Sequence, residues 1–305
     1  MTVQARTKAF EKARPQLMGI AYRLLGSVSE AEDAVQDTAY KWFAADGELP
    51  DKPVAWLTAV CTNRCLDILK SAQRTKVDYV GPWLPEQVEM ATTEDAEHKL
   101  EIASSLSTAF LLLLERLTPK ERAAYLLHDI FSISHLEISE MLGVSDTNSR
   151  KLASRARRLV AEEKVRFVPS QDQQTKLLDE FQNALQTGDI ARFAAALNKD
   201  VDLRADSGGK VTAIRRVLEG AGVVQNFIAA VLSPAWGRFT YETRMVNGLL
   251  SLIVWNENEP HALVAFSYGT DALVKSIFIL RHPEKLKQTL GIRAHAGPDG
   301  SMYFH

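Results

Sequence analysis

The chain has 305 residues, of which 46% are hydrophobic and 24% charged, and this composition is typical of a globular protein with two or three domains. A formal net charge of -2 excludes a polycation, so any contact with nucleic acid must rest on local basic patches. There is no apolar run of transmembrane length and no apolar secretory segment at the start, and the two cysteines suit a reducing compartment, so we expect a cytoplasmic protein without a membrane anchor.

Three helices are predicted between residues 5 and 77. The second opens with Ser29 as N-cap and Glu32 at the capping-box position, and it runs to about Phe43. The third begins near Pro53, since proline suits a first helical turn, and continues to about Arg74 with a basic tail. The apolar face of the first helix consists of Phe10, Leu17, Ile20, Ala21, Leu24 and Leu25. The outer face of the second helix carries Glu32, Asp33, Gln36 and Asp37.

Cys61 and Cys65 lie one helical turn apart in the third predicted helix. A metal site would need two further ligands, and no histidine or cysteine nearby in the sequence supplies them. We therefore expect both cysteines on a buried helix face and predict no metal site.

The segment from residue 78 to residue 104 has the composition of a linker. Two prolines and a glycine within residues 79–86 exclude a helix interior, and residues 92–97 are polar and acidic. Trp83 and Leu84 form an apolar hook in this linker, and such a tryptophan normally docks on another surface. A loop that faces solvent is the alternative.

Residues 105–168 are predicted to be helical again and to contain a helix-turn-helix. Thr118, followed by Pro119 and Glu121, indicates a capped helix start. Further along, Gly143 allows a tight turn and Ser145 suits the N-cap of the next helix. The spacing predicts two apolar faces: Leu136, Ile138, Met141 and Leu142 before the turn, and Ser149, Leu152, Ala156 and Leu159 after it.

The outward face of the helix after Ser145 is basic. Its residues are Asn148, Arg150, Lys151, Ser154, Arg155, Arg157 and Arg158. Two short helices with a glycine turn and a basic second helix are typical of a helix-turn-helix, which places the second helix in the major groove of DNA. An ordinary pair of helices with a solvated basic face is the alternative.

Residues 169–305 change character and predict an α+β domain. Helices are predicted at 177–185, 190–197 and 222–231, and strands at 201–205, 239–246, 249–255, 262–267 and 273–280. Helices followed by a curved antiparallel sheet give a cone-shaped domain, and such a cone encloses a pocket that is a common ligand site.

The first strand of this domain carries charges on one face. Asp202, Arg204 and Asp206 share that face because strand side chains alternate, and they could activate a water molecule in a pocket. A solvent-side ladder of ion pairs and a ligand-binding face are the alternatives. The catalytic interpretation fails if the alternate residues point inward; these are Val201, Leu203 and Ala205.

The order of these elements, with the stretch LTPKERAAYLLHDIF before the helix-turn-helix, resembles an extracytoplasmic-function sigma factor over residues 8–166. The remaining third resembles a SnoaL-like domain of the nuclear-transport-factor-two fold. Together they resemble the sigma-factor group with a fused C-terminal SnoaL-like extension.

Three short motifs carry the closer resemblance. Residues 83–86 are similar to the WLPEP signature of the group, and the chain departs from it at Gln87. Residues 206–210 resemble its DGGGK loop, with serine at the second position. Residues 282–286, which read HPEKL, resemble its NPDKL signature. The resemblance implies regulatory roles for Trp83, Leu84, Pro85, Asp206, Gly208, Gly209, Lys210, Pro283, Lys285 and Leu286.

The resemblance also implies the fold and the function. The expected architecture is multi-domain: an all-α sigma region 2 bundle at 1–77, a linker at 78–104, an all-α sigma region 4 helix-turn-helix at 105–168, and an α+β SnoaL-like cone at 169–305. The protein would bind core RNA polymerase and direct it to promoters, as a non-enzyme that needs no cofactor. The fused domain would regulate it in place of a separate anti-sigma factor. The resemblance does not identify a small ligand for the pocket.

Individual residues follow from the same resemblance. Polymerase contacts fall on Asp33, Gln36 and Asp37, and minus-ten contacts on Asn63, Arg64, Lys70 and Arg74, with Trp56 partly in the core. Arg150, Lys151 and Arg155 are expected at base edges of the minus-thirty-five element, and Arg157 and Arg158 at phosphates. Asn148 and Ser149 stand where the family usually has Ala-Val, so Asn148 is expected either to cap the helix or to contact DNA. Ser154, on the same outward face, is also expected to contact DNA.

Two other classes of function would each explain part of this pattern. A helix-turn-helix regulator with a ligand-sensing domain would share the basic helix and the pocket, but it leaves residues 5–77 without a role. A SnoaL-like domain with residual hydrolase or isomerase activity would use the charged strand face.

Overall fold

A computed structural model describes residues 3–45, 50–75, 79–88, 105–163, 168–291, 294–296 and 302–304. The chain separates into two compact units. One comprises Met1–Asp78 and Leu111–Glu163, and the other comprises Tyr79–Phe110 and Lys164–His305. The described part of the predicted linker, residues 79–88, therefore belongs to the same unit as the C-terminal domain. Within the described ranges, no helix combines the length and the apolarity needed to cross a membrane.

Three helices begin the first unit: α1 (Val3–Leu25), α2 (Val28–Ala44) and α3 (Pro53–Thr75), which pack on one another. The predicted apolar stripe of α1 is buried throughout. The N-cap of α2 is Ser27, whose hydroxyl accepts from the backbone N of Glu30 at 3.2 Å. The prediction of Ser29 was therefore wrong by two residues, because the earlier serine has the extended backbone that a cap requires.

The second half of this unit, from Leu111, is also helical. It contains the end of α4 (Thr108–Leu114), followed by α5 (Pro119–Tyr125), a π-helical turn at Leu126–Ile130, α6 (His135–Leu142) and α7 (Asp146–Glu163). The capping box predicted at Thr118 and Glu121 is present. A second box, Ser134 with Glu137, starts α6. Helix α5 packs against α7, α1 and α3, and α6 packs against α3. The segments predicted as separate sigma regions thus share one packed unit.

The C-terminal domain is built on a six-stranded mixed sheet. In chain order its elements are α8 (Gln171–Thr187), α9 (Ala191–Ala195), β1 (Leu197–Asp206), β2 (Leu218–Glu219), α10 (Ala221–Phe227), a π-helical turn at Ile228–Leu232, α11 (Ser233–Trp236), β3 (Thr240–Val246), β4 (Leu249–Asn256), β5 (Glu259–Tyr268), β6 (Val274–Leu280) and α12 (Pro283–Thr289). A separate two-stranded sheet pairs β7 (Ala294–Ala296) with β8 (Met302–Phe304).

The strand order in the large sheet is β2-β1-β6-β5-β4-β3. Strands β3 to β6 form an antiparallel meander, whereas β1 and β6 run parallel with Leu203 opposite Ile277. The expectation of a wholly antiparallel sheet was therefore wrong. Helices α10 and α11 return the chain between β1 and the meander, and this crossover allows the parallel pairing.

The core of this domain lies between the sheet and the helices. Three aromatic rings form its centre, with ring centroids 5.0 Å apart for Phe181 and Phe193 and 5.6 Å apart for Phe193 and Phe266. Helix α8 packs on β4 and α10 packs on β1. The inward residues of β1 belong to this core. The opposite face of β1 and its C-terminal end are therefore available for contacts outside the core.

Candidate polymerase, promoter and linker sites

The helix-turn-helix forms as its sequence predicts. Gly143 ends α6 with φ of 59°, and the hydroxyl of Ser145 accepts from the backbone N of Asn148 at 3.2 Å. Ser149 is buried, and its hydroxyl lies 3.1 Å from Nδ1 of His135. This hydrogen bond explains how a polar residue is accommodated at an inward position of α7.

All seven residues predicted on the outer face of α7 are exposed: Asn148, Arg150, Lys151, Ser154, Arg155, Arg157 and Arg158. Its four arginines form ion pairs with neighbouring carboxylates, of which Arg157 to Asp129 is the shortest at 2.6 Å. The pairs of Arg150 with Asp146 and of Arg158 with Glu162 are exposed and contribute little to stability, so these two guanidinium groups can exchange partners at low cost. The carboxylates that pair with Arg155 and Arg157 are only 16% and 20% exposed.

The inward faces of the two helices were predicted only in part. Ala153 and Val160 of α7 are buried and were missed. In α6 the buried stripe is made of His135, Ile138, Ser139, Met141 and Leu142, whereas Leu136 is 63% exposed. Leu136 was therefore wrongly assigned to the core, because an i, i+3, i+4 spacing that starts at His135 excludes it.

The acidic face of α2 is open to solvent. Asp33 and Gln36 are exposed, and Asp37 accepts from Nε of Arg64 at 2.6 Å. The same face continues with two aromatic rings, Tyr40 and Phe43, which are 77% and 44% exposed. Sequence reasoning missed both rings, although their spacing from Asp33 and Gln36 follows the helical repeat.

The predicted minus-ten residues lie along α3. Asn63 and Lys70 are exposed, Arg64 is half-exposed, and Lys70 pairs with Asp67 at 3.1 Å. The backbone of Arg74 lies in α3, and its side chain is outside the described part of the structure. Trp56 is partly buried, with its ring centroid 5.4 Å from that of Trp42, and Cys61 and Cys65 are fully buried. The cysteines thus occupy the buried helix face that their spacing predicts.

A buried ion pair holds the linker on the C-terminal domain. Asp206 is fully buried at the end of β1, and its Oδ2 accepts from Nζ of Lys285 at 2.8 Å and from the backbone N of Leu84 at 2.9 Å. Its Oδ1 accepts from the hydroxyl of Tyr79 at 2.6 Å and from the backbone N of Gly208 at 3.0 Å. Nζ of Lys285 also donates to the carbonyl of Leu84 at 2.6 Å. We call these five residues the linker clamp.

Aromatic rings complete the clamp. Nζ of Lys285 lies 4.7 Å from the ring centroid of Trp83 and 5.6 Å from that of Tyr79, within the range of cation–π attraction. Leu84 and Pro85 are buried. Burial and the neighbouring Asp206 raise the pKa of Tyr79, so its phenol remains a proton donor. The apolar hook predicted in the linker is therefore docked.

Further contacts extend the docked segment to residue 88. The backbone N of Val88 donates to Oδ1 of Asn247 at 2.8 Å, and the backbone N of Asn247 donates to the carbonyl of Val88 at 2.9 Å. The hydroxyl of Thr289 donates to the carbonyl of Gln87 at 3.0 Å. Sequence reasoning assigned no role to Tyr79, Asn247 or Thr289, and no local pattern marks residues whose partners are so distant in the chain.

The two later motifs meet beside the clamp. Gly208 and Gly209 both have positive φ, and Gly209 lies against Val80. Lys210 forms an ion pair with Glu284. Pro283 occupies the first turn of α12, and Leu286 of the same helix is buried. The ten residues named from the three motifs therefore come together in one region of the C-terminal unit.

The proposed catalytic face of β1 does not form. Val201, Leu203 and Ala205 point into the hydrophobic core, so the alternate residues face away from it. Asp202 and Arg204 pair with each other at 3.2 Å on the outer face, and Asp206 belongs to the linker clamp. The alternative of a surface ion pair is correct for the first two residues.

A cavity of about 340 Å³ opens between the sheet and the helices of the C-terminal domain. Its walls are mostly apolar, and its polar side is formed by Arg281 with the neighbouring His261. Burial and the charge of Arg281 lower the pKa of His261 to about 4, so this imidazole is neutral and its Nε2 accepts from Nη2 of Arg281 at 2.9 Å.

Comparison with known proteins defines the class. The sigma-70 region 2 model matches residues 9–75 and the sigma-70 region 4 model matches residues 107–160. A curated relative among the extracytoplasmic function (ECF) RNA polymerase sigma factors is 37% identical over 227 residues, which are 73% of this chain and 72% of the relative. The chain therefore belongs to the ECF RNA polymerase sigma factors.

That relative is SigJ of Mycobacterium tuberculosis. The crystal structure of SigJ covers 92% of this chain and 97% of its own, with a TM-score of 0.72 and 30% sequence identity. The probable ECF sigma factor SigI of the same species is 26% identical over 256 residues, which are 81% of this chain and 88% of that relative.

These matches confirm the predicted family and the predicted fold class, two helical sigma regions with a C-terminal α+β domain. Regions 2 and 4 imply binding to core RNA polymerase and to promoter DNA. A plain helix-turn-helix regulator does not account for the match to region 2 over residues 9–75.

Proposed function

We propose that the C-terminal domain sets the activity of this sigma factor by holding its linker, in place of a separate anti-sigma factor. The observation that carries the proposal is the buried pair of Asp206 and Lys285, which binds both the N–H and the carbonyl of Leu84. A buried charged pair favours the arrangement in which its hydrogen bonds are made. It therefore favours one position of the linker over others.

Covalent attachment makes such a contact effective. A domain tethered by a short flexible segment reaches an effective concentration of about a millimolar, so contacts too weak for a separate inhibitor suffice. Residues 79–88 cannot lie on the C-terminal domain and elsewhere at once. Docking and release of this segment would thus give the protein two states.

The packing of the first unit supports the need for a conformational change. The guanidinium of Arg122 on α5 is buried, and its Nη1 donates to the carbonyl of Leu24 at the end of α1 at 2.6 Å. The guanidinium carbon of Arg23 lies 5.4 Å from the ring centroid of Phe131. These contacts join the region 2 helices to the region 4 helices.

Promoter geometry requires these helices to separate. The nominal positions minus ten and minus thirty-five are about 25 base pairs apart, which corresponds to about 85 Å of duplex. A packed unit of roughly 130 residues has a radius of gyration of only about 14 Å. Simultaneous contact with both elements is therefore expected only after the two regions separate, and a docked linker would oppose that step.

Residue roles complete the proposal. Core polymerase is contacted by Asp33, Gln36 and Asp37, and the minus-ten region by Asn63, Arg64, Lys70 and Arg74. Base edges of the minus-thirty-five element are contacted by Arg150, Lys151 and Arg155, and its phosphates by Arg157 and Arg158. The DNA groove that holds α7 is bordered by Asn148 and Ser154. The exposure of the acidic α2 face and of the basic α7 face supports these assignments. The site of action is the cytoplasm.

Run-off transcription with purified core polymerase tests the proposal, on promoter fragments that the reconstituted holoenzyme selects. The full chain is compared with a chain ending at Val168 and with a Lys285→Met variant. Loss of the clamp is expected to raise promoter-directed transcription, because the linker is released. Equal transcription by all three proteins would contradict regulation by the fused domain.

A further inference from the structure

We propose that the cavity beside Arg281 binds a small organic anion, namely a carboxylate on an aromatic or aliphatic body. Binding of this anion would change the contacts of the linker clamp. The inference deepens the proposed function, and only its regulatory step rests on that function. Binding itself follows from the cavity and from the charge at its side.

The guanidinium group of Arg281 borders the cavity. In the part of the chain that the structure describes, no carboxylate lies within 4 Å of its guanidinium, which donates to the carbonyl of Thr212 and to His261. Its Nε is buried and has no hydrogen-bond partner among the described residues. A carboxylate supplies both the missing charge and the missing acceptor, and guanidinium groups bind it through two parallel hydrogen bonds.

The rest of the cavity suits an apolar body. Phe227, Leu232, Trp236 and Ile279 line it, and the guanidinium carbon of Arg281 lies 6.0 Å from the ring centroid of Trp236. A volume of about 340 Å³ falls in the range of small-molecule sites. The exposed residues along its edge are Thr212, Val231 and Ala235, which gives a ligand a way in.

Two routes join the cavity to the linker. The backbone N of Arg281 donates to the carbonyl of Asp206 at 2.7 Å, so the residue that would bind the anion is fixed to the centre of the clamp. On the other side Ile214 lines the cavity, and a β-carbon placed on Gly81 of the linker would lie 3.9 Å from the carbonyl oxygen of Ile214. A ligand that shifts either wall therefore changes contacts of the docked linker.

Calorimetric titration of the full chain tests binding, with benzoate and octanoate as probes and benzamide as the neutral match for benzoate. Benzoate is expected to bind at least about tenfold more tightly than benzamide, since the amide lacks the charge that Arg281 requires. Arg281→Met is expected to weaken benzoate binding by about the same factor. Arg238→Met, which removes an exposed arginine outside the cavity, is the matched control and should bind as the unmodified chain does.

A second variant covers the case in which Arg281→Met fails to fold. Val231→Trp adds a large side chain at the exposed edge of the cavity and leaves Arg281 in place, so it should block benzoate while circular dichroism and thermal melting stay unchanged. Equal affinities for benzoate and benzamide would overturn the proposed anion site. Absence of binding by both carboxylates at about 10 mM, enough to saturate a millimolar site, would overturn it too.

Hydrogen exchange of the linker tests the regulatory step separately. Benzoate is expected to change the protection of the amides of Leu84 and Val88 in the unmodified chain and not in Arg281→Met. Intact binding with unchanged protection would reject the role as a signal while leaving the site in place. Transcription that is insensitive to loss of the clamp would instead reject the proposed function, so the two failures are distinguishable.

Discussion

The imidazole ring of His282 lies so close to the α-carbon of Gly208 that a β-carbon placed there would be 2.3 Å from Cδ2 of the ring. Gly208 has φ of 56°, and its N–H donates to Oδ1 of Asp206. The two residues belong to different motifs, which are separated by more than seventy residues in the chain. Contact between these motifs thus depends on the absence of a side chain at Gly208.

Gly208→Ala is expected to lower the free energy of unfolding of the C-terminal unit by about 1–3 kcal/mol, through the clash with His282 and through the positive φ. Urea denaturation measures this loss. Gly222→Ala is the control, since a β-carbon there meets nothing within 4 Å, and alanine is favoured in a helix by up to about 1 kcal/mol. Unchanged stability of Gly208→Ala would mean that His282 can move aside freely.

Lys285→Met leaves the carboxylate of Asp206 buried without its counterion. Removal of one partner of a buried pair costs about 3–5 kcal/mol, so a large fall in stability and faster exchange of the Leu84 amide are expected. Lys199→Met is the control, because Lys199 pairs with Asp200 at 3.9 Å on the exposed surface. Similar losses in both variants would contradict the special role of the buried pair.

Arg122→Met removes the buried donor to the carbonyl of Leu24. Loss of this charge-assisted hydrogen bond is expected to destabilise the first unit by about 1.5–3 kcal/mol, measured as a lower urea midpoint. Lys120→Met on the same helix, whose exposed amine donates to the carbonyl of Leu142 at 3.1 Å, is the milder comparison. An effect of Arg122→Met no larger than that of Lys120→Met would show that the region 2 and region 4 helices hold together without this contact.

The rings of His128 and His135 stack with their centroids 3.9 Å apart, and His135 gives a prediction for pH. Burial, then the charges of His128, Arg150 and Arg157, lower the pKa of His135, while Asp146 opposes them. The unfolded chain therefore binds the proton first as pH falls below about 6.5, and stability declines by at most about 1.4 kcal/mol per pH unit. Above that pH both states are neutral at this position and no effect is expected.

His135→Gln should flatten this decline between pH 7 and pH 5 while keeping a polar partner for Ser149. Urea titrations of the two proteins at several pH values measure the difference in slope. The same slope in both proteins would place the titrating group elsewhere.

The basic face of α7 gives a prediction for promoter binding. Arg150→Ala, Lys151→Ala and Arg155→Ala should each weaken binding of the holoenzyme to its selected promoter by about 1–3 kcal/mol, with stability changed by no more than about 0.5 kcal/mol. Arg157→Ala should instead weaken binding to all sequences and reduce its salt dependence. Fluorescence anisotropy at several salt concentrations measures both effects, and Lys199→Ala serves as the control. If the first three substitutions left promoter affinity unchanged, the assignment of α7 as the recognition helix would be contradicted.

Local chemistry predicted much of the fold, because caps, prolines and periodicity act over a few residues. The start of α5 at Thr118 and the turn at Gly143 are examples. The N-cap of α2 was mispredicted because Ser27 and Ser29 are both suitable capping residues. Leu136 was mispredicted as buried because the buried stripe of α6 begins one residue earlier, at His135.

The candidate sites were predictable to different extents. The basic face of α7 follows from spacing alone. The alternation of β1 located Asp206 but could not indicate that Tyr79, 127 residues away, would donate to it. The parallel pairing of β1 with β6 was missed for the same reason, since alternation is identical in parallel and antiparallel strands.

The distance between Asp206 and Lys285 along the chain has a consequence during translation. Lys285 is the seventy-ninth residue after Asp206, and at about 5–20 residues per second a ribosome needs several seconds to add that stretch. Both DNA-binding regions are already synthesised by then. Every newly made molecule therefore passes through a brief period in which its linker has no lysine to hold it.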